Sequence, residues 1–242
     1  MKKIILSLCL LPLLAAGAKA DPFADFKTYA ADAYIKPFAA DLGGVLGGND
    51  FNSGRALGFP GFEAGLAATL QSKPSTDNAI LRKAGVNTFG AAMLHAGAAI
   101  PLIGADVILR GVSYSGFSII GGGLRYPLLK SGTLTKFIPD VSLAAYYDAI
   151  DYKYFKGTHM SVDASASFDI PVIKPFVGVG LDRTKVEVQG VSALLNGASG
   201  TISKPRYTLG VRLSPMPLMY VYGAYNVLHG QAGYSAGAGV KF

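Results

Sequence analysis

Residues 160–170 read MSVDASASFDI, and every second side chain is apolar: Met160, Val162, Ala164, Ala166, Phe168 and Ile170 alternate with Ser161, Asp163, Ser165, Ser167 and Asp169. Successive side chains of a β-strand point to opposite faces, so this stretch makes one wholly apolar wall and one wholly polar wall. A helix would mix the two sets around its circumference. The stretch is also long enough to cross a bilayer as a tilted strand, which takes roughly 9–11 residues.

The same period recurs along the chain. Phe62, Ala64, Leu66, Ala68 and Leu70 oppose Glu63, Gly65, Ala67 and Thr69; Tyr207, Leu209, Val211 and Leu213 oppose Arg206, Thr208, Gly210 and Arg212. In the last segment Tyr234, Ala236, Ala238, Val240 and Phe242 share a face, with Ser235, Gly237, Gly239 and Lys241 on the other. The pattern predicts about ten strands, over 60–71, 88–101, 105–115, 117–127, 139–150, 158–170, 173–187, 204–214, 218–228 and 232–242. The third, fourth, fifth and ninth alternate less cleanly, which leaves eight to twelve open.

Composition separates two architectures that both alternate. The chain is 50% hydrophobic but 15% charged, with 31 glycines. A soluble β-sandwich needs more charge on its outer faces, whereas a membrane barrel turns its apolar face outward. The expected fold is all-β: an antiparallel up-and-down transmembrane β-barrel preceded by an amphipathic helix. Expected connections are short between the sixth and seventh and the eighth and ninth strands, and long between the first and second, fifth and sixth, and seventh and eighth, so that short and long ends segregate to opposite rims. The exceptions are a long fourth-to-fifth connection and short third-to-fourth and ninth-to-tenth loops.

Residues 1–20 have the layout of a secretory signal: Lys2 and Lys3, an apolar run, then Ala18-Lys19-Ala20. Its removal takes away Cys9, the single cysteine, and three lysines, so the formal charge falls from +7 to +4. That weakens any nucleic-acid reading of the basicity, and no nucleic-acid partner is expected. The chain divides into 1–20, the signal; 21–57, a helix and glycine-rich link; and 58–242, the barrel.

Residues 21–42 break the period. Phe23, Phe26, Ala30, Ala33, Tyr34 and Phe38 recur at helical spacing opposite Asp25, Thr28, Asp32 and Lys36, which predicts an amphipathic helix bent or ended near Pro37. GGVLGGNDFNSGR then reads as a flexible link. The helix has three possible places: inside the lumen, on the rim or membrane surface, or capping the barrel's lower end.

With its export signal, even strand count and terminal Phe242 backed by Val240, Ala238, Ala236 and Tyr234, the chain resembles Gram-negative outer-membrane β-barrel proteins. That resemblance implies an outer-membrane location. It also implies that Tyr234, Val240 and Phe242 belong to the strand signature read by the barrel-assembly machinery. The helix followed by GRALGFPGFEAG resembles an uncharacterised group of small barrels. More loosely, it resembles hydrophobic-compound transporters with an N-terminal plug, whose Asn-Pro-Ala motif this chain lacks.

Little of the sequence calls for reaction chemistry. His159 and Ser161 form an H-x-S triplet faintly similar to that of lipid A deacylase barrels, but both lie on the polar, inward face. His95, His159 and His229 are not at ligand spacing. Asp50, Asn52 and Gly54 hint at a calcium loop, yet Gly61 stands where the closing Glu belongs. GGGLR at 121–125 opens no helix. No enzyme activity, metal or cofactor is expected.

The polar face carries Glu63, Arg110, Arg125, Asp163, Asp169, Asp182, Arg206 and Arg212, all assigned to the lumen, since charge facing lipid is costly. Lys73, Arg82, Lys83, Lys153, Lys156 and Lys185 fall in expected external loops, where they can meet phosphates of the lipopolysaccharide leaflet. Two functions follow. One is passive passage of a small, amphipathic solute past a plug of residues 21–50; the other is a structural or surface-interaction barrel with a filled lumen.

Overall fold

The computed structural model describes residues 21–132 and 138–242, so the signal expected at 1–20 lies outside the described residues. Ten strands form a closed sheet: β1 (Phe62–Gln71), β2 (Phe89–Ala99), β3 (Asp106–Tyr114), β4 (Phe117–Leu129), β5 (Asp140–Tyr152), β6 (Phe155–Ser167), β7 (Ile173–Val188), β8 (Ser199–Met216), β9 (Met219–Leu228) and β10 (Gln231–Lys241). Each pairs antiparallel with its chain neighbours, and β10 returns to β1 from Glu63↔Lys241 to Gln71↔Gly233. Closure leaves no strand edge unpaired, the condition for irregularity-free backbone in lipid.

The alternation sorts side chains as the sequence requires. Leu94, Leu109, Ile120, Val162, Leu181 and Leu209, on six strands, are all 60% or more exposed on the outer wall. A continuous apolar surface of this kind has no stable place in water and is the outward band of a membrane barrel. Among the described residues no helix is long and apolar enough to cross a membrane.

The strand ends define two rims: a closing rim, where β1 begins and β10 ends, and an opposite rim. The short β6–β7 and β8–β9 and the long β1–β2 and β7–β8 connections fall as expected, and only the fifth-to-sixth differs. At the opposite rim β3–β4, β5–β6 and β9–β10 turn through Ser115–Gly116, Lys153–Tyr154 and His229–Gly230, whereas β1–β2 and β7–β8 are long. The long fifth-to-sixth loop is corrected to a tight hairpin, because Tyr152 and Phe155 remain in register and bury inward. Ser115, Gly116, His229 and Gly230 all have positive φ, the backbone of two-residue hairpin turns. Lys156 and Lys185, expected in loops, lie on β6 and β7.

The N-terminal segment also differs from expectation. It forms α1 (Phe26–Tyr29) and α2 (Asp32–Gly47), broken at Ala30–Ala31 and continuous through Pro37. Pro37 removes the hydrogen bond to the Ala33 carbonyl, but Ala33 is exposed, where water replaces it. The glycines read as a link are helical because the wall approaches them: a Cβ on Gly47 would lie 2.6 Å from both Arg206 Nε and Asp182 Oδ2. A third, short helix, α3 (Ala79–Lys83), lies in the β1–β2 connection. α2 packs against the inner faces of β1, β2, β6, β7, β8 and β9, so it lies inside the barrel rather than on its rim.

Candidate functional site

From the opposite rim inward, the lumen is filled in three layers. The first is aromatic. Phe23 is ringed by Phe38, Phe89, Phe117, Tyr152 and Phe155 at centroid distances of 4.8–5.9 Å. Phe26 joins through Phe38 and Phe155. Phe23, Phe26 and Phe38 are thus buried, while Tyr34 stays partly exposed with Lys83 Nζ over its ring. Beside this layer Asp41 of α2 accepts from Gln71 Nε2 at 2.8 Å, Asn78 Nδ2 at 2.7 Å and the Ser75 amide at 2.9 Å, tying the helix to the β1–β2 connection.

The middle layer is charged, and Asp50, just past α2, is its centre. Arg110 Nη1 donates to Asp50 Oδ1 at 2.5 Å, and Arg206 Nη2 to Asp50 Oδ2 at 2.7 Å. Ser161 Oγ donates to Oδ2 at 2.7 Å, and the Tyr146 hydroxyl to the Asp50 carbonyl at 2.6 Å. Arg110 also forks onto Asp148 at 2.8 and 2.6 Å; Arg206 reaches Asp163 at 2.7 Å and Asp182 at 3.1 Å. His229, held over the lumen by its tight turn, donates from Nδ1 to the Ala40 carbonyl at 2.7 Å, with Nε2 2.9 Å from Asp182. Ionic groups with this many partners can be buried without orphaned charge.

The third layer lies toward the closing rim. Arg125 bonds Asp106 at 2.8 Å and sits 3.5 Å from Glu63. Arg212 donates to Asn52 at 2.6 Å and stacks on Tyr220. Asp106 also accepts from the Leu57 amide at 3.0 Å, and Ser53 lies 3.4 Å from Ser167, so residues 52–57 follow the inner wall down to β1. A void beside Asp50 and Arg110 measures about 20 Å³, room for about one water.

Of the side chains assigned to the lumen, Glu63, Arg110, Arg125, Asp163, Asp182, Arg206 and Arg212 are all buried inside. Asp169 is the correction. β6 ends at Ser167, so Asp169 stands in the β6–β7 turn, bonded to Arg55 and 2.5 Å from Lys174. Burial works against its charge, but the Lys174 hydrogen bond and the Lys174 and Arg55 cations hold its carboxyl below the usual carboxylate range. Outside, Tyr234 and Phe242 face lipid at 58% and 50% exposure, with Phe242 stacked on Phe62 at 4.7 Å across the seam. His159 and Ser161 lie on the inner wall with separate partners, Thr184 and Asp50.

Sequence reasoning missed Asp50, Asp41, Asp148 and His229. Asp148 was legible, since it shares parity with Ala144 and Tyr146, but the inward face of β5 also carries Ile150 and Tyr152, which blurs its alternation. Asp50 and His229 lie outside strands, where period two says nothing.

No protein-family model and no curated protein matches the chain. Solved structures similar to it include an outer-membrane channel from Pseudomonas putida F1 (6% identity, 78% of this chain and 97% of that one, TM-score 0.47). Others are the translocator domain of the autotransporter NalP from Neisseria meningitidis (16%, 88% and 99%, TM-score 0.43) and the N-terminal barrel domain of OprF from Pseudomonas aeruginosa (15%, 76% and 99%, TM-score 0.35). A closed, even-stranded antiparallel sheet with an outward apolar band is the architecture of the bacterial outer membrane. By its closure and its belt, this chain is an outer-membrane β-barrel.

Proposed function

We propose that the protein is a filled outer-membrane barrel, closed to solutes while residues 21–57 occupy it, and that it works through its surfaces. The observation that carries this reading is Asp50, bound at once to arginines of β3 and β8 on the inner wall. A loosely seated stopper would have no reason to bury a carboxylate between two cations.

In this reading the closing rim, with its two-residue β8–β9 turn, faces the periplasm, and the opposite rim, with the long β1–β2 and β7–β8 connections, faces outward. Lys156, Arg183 and Lys185 then project from the outer wall near the external rim, one register row or more beyond Val162 and Leu181 of the apolar belt. That height suits contact with lipopolysaccharide phosphates. β10, presenting Tyr234, Val240 and Phe242 outward, is the segment offered to the assembly machinery.

A gated conduit is the second reading, favoured by the mixed charges of Arg110, Asp148, Asp163, Asp182 and Arg206, which would line a hydrated path once the helix left. Single-channel recording in planar bilayers separates the two, using the full chain and a form lacking residues 21–50 whose folding is checked by heat-modifiable gel migration. A silent full chain beside a conducting deletion supports the stopper. Steady current through the full chain overturns closure. Silence from both folded forms removes the conduit and leaves the scaffold.

A further inference from the structure

At the closing rim a cavity of about 530 Å³ opens below the third layer. Four basic side chains line it, Arg55, Lys174, Arg212 and Lys241, against two carboxylates, Asp140 and Asp169. Asp169 bonds Arg55 and Lys174; Asp140 accepts from the Ser131 amide and hydroxyl through Oδ1 and lies 3.8 Å from Arg55. Arg212 and Lys241 are different. Neither has an ion pair among the described residues; Arg212 is 6% exposed, its one hydrogen-bond partner is the neutral Asn52, and its guanidinium lies 3.6 Å from the Tyr220 ring centroid.

Glu63 opposes the charges of both Arg212 and Lys241 from the third layer without a hydrogen bond to either. Burying a guanidinium with no bonded carboxylate is costly, and the middle layer of this same lumen pairs each of its arginines with at least two. From this contrast we infer that the cavity is a binding site for a small dianionic oxyanion, a phosphate or phosphate monoester, with Arg212 as the buried fork and Lys241 as the second cation. A guanidinium presents paired N–H groups that match two oxygens of such a group, and an ammonium supplies the remaining charge. The link holds Asn52 over Arg212 and places Ser53 in the lining, so the site exists only with the N-terminal segment seated. It holds for a conduit or a scaffold alike.

The test is isothermal titration of the full-length folded barrel in uncharged detergent micelles with inorganic phosphate, against sodium chloride at matched ionic strength. Micelles doped with a short-chain phosphatidic acid form a second arm, which distinguishes a lipid headgroup from a free anion as the source. Saturable binding of either phosphate, near one per chain, supports the site. Arg212→Gln and Lys241→Gln should each weaken it about tenfold or more, the worth of one charged hydrogen bond. Lys156→Gln, on β6 near the opposite rim and outside the cavity, should change affinity by less than about threefold, since an exposed charge contributes little. Each variant must keep its heat-modifiable migration. Should Arg212→Gln misfold, Lys241→Gln at the strand end carries the test. No saturable heat in either arm, or affinity unchanged by the folded variants, overturns the inference.

Discussion

Replacing Gly47 by alanine asks whether α2 is held by the wall or merely near it. In an unrestrained helix the change is favourable by about 1 kcal/mol. Here the new Cβ would meet Arg206 Nε and Asp182 Oδ2, each at 2.6 Å, closer than a real Cβ approaches anything. Neither atom is the free end of a solvent-exposed chain: both are fully buried and bonded to each other. Overpacking of this kind costs about 1–3 kcal/mol, and spreading a charged hydrogen bond adds about 1.5–3 more. After the helix gain is subtracted, Gly47→Ala should destabilise the folded chain by about 2 kcal/mol or more. Urea titration of the barrel in micelles, followed by heat-modifiable migration, reads this directly. Stabilisation by about 1 kcal/mol would mean that the helix is not seated against β7 and β8, and the filled-lumen account would fail with it.

Phe23→Ala should cost about 3–5 kcal/mol of local stability, since five rings lose their shared neighbour, and should make the exposed Lys27 a fast tryptic site from the opposite-rim side. Arg206→Met strips Asp163 of its cation and leaves Asp50 with Arg110 alone and Asp182 with His229, and should cost about 3–5 kcal/mol, whereas Asp50→Asn leaves Arg110 with Asp148 and Arg206 with two carboxylates and should cost far less, about 1 kcal/mol, in the same urea titration. Asp169 has its carboxyl held low by Lys174 and Arg55, so its contribution is present above its ordinary value of 3.8 and disappears as pH falls through the lowered one. Asp169→Asn should therefore cost less than about 1 kcal/mol near neutrality, and the difference from wild type should persist at the carboxyl's ordinary value of 3.8 and close only at more acid pH in a pH series of the melting temperature.

The barrel was readable because one physical rule, lipid outside and polar groups inside, writes itself on every second residue. All ten strands lie within a few residues of where alternation puts them. The errors have physical causes. β8 begins at Ser199 rather than 204 because Ser199–Ser203 extend the pairing with Arg183–Glu187 of β7 beyond the stretch whose apolar alternation starts at Arg206 and Tyr207. β6 was placed three residues late because Phe168 and Ile170 keep the parity of the strand after it has turned, while Phe155, Lys156 and Gly157 resemble a loop. The helix was legible as amphipathic, but not its address. Gly43, Gly44, Gly47 and Gly48 lower helix propensity in any local reading, and only the nearness of Thr184, Leu228, Arg206 and Thr69 explains them. The charged layer was half visible for the same reason: its wall residues follow the period, and Asp50, which joins them, does not.

A disulfide tests most directly whether the N-terminal segment runs down the inside of the barrel. Ser53 Oγ and Ser167 Oγ lie 3.4 Å apart across the inner wall, and the sole cysteine, Cys9, is in the first twenty residues. A Ser53→Cys/Ser167→Cys chain isolated from outer membranes should carry the cross-link without added oxidant catalyst, since the side chains already sit close to disulfide geometry. It should show this as a reductant-sensitive change in the mobility of the denatured protein. Two free thiols, both labelled by a membrane-impermeant maleimide in the folded barrel, would place the segment outside the lumen and contradict the account.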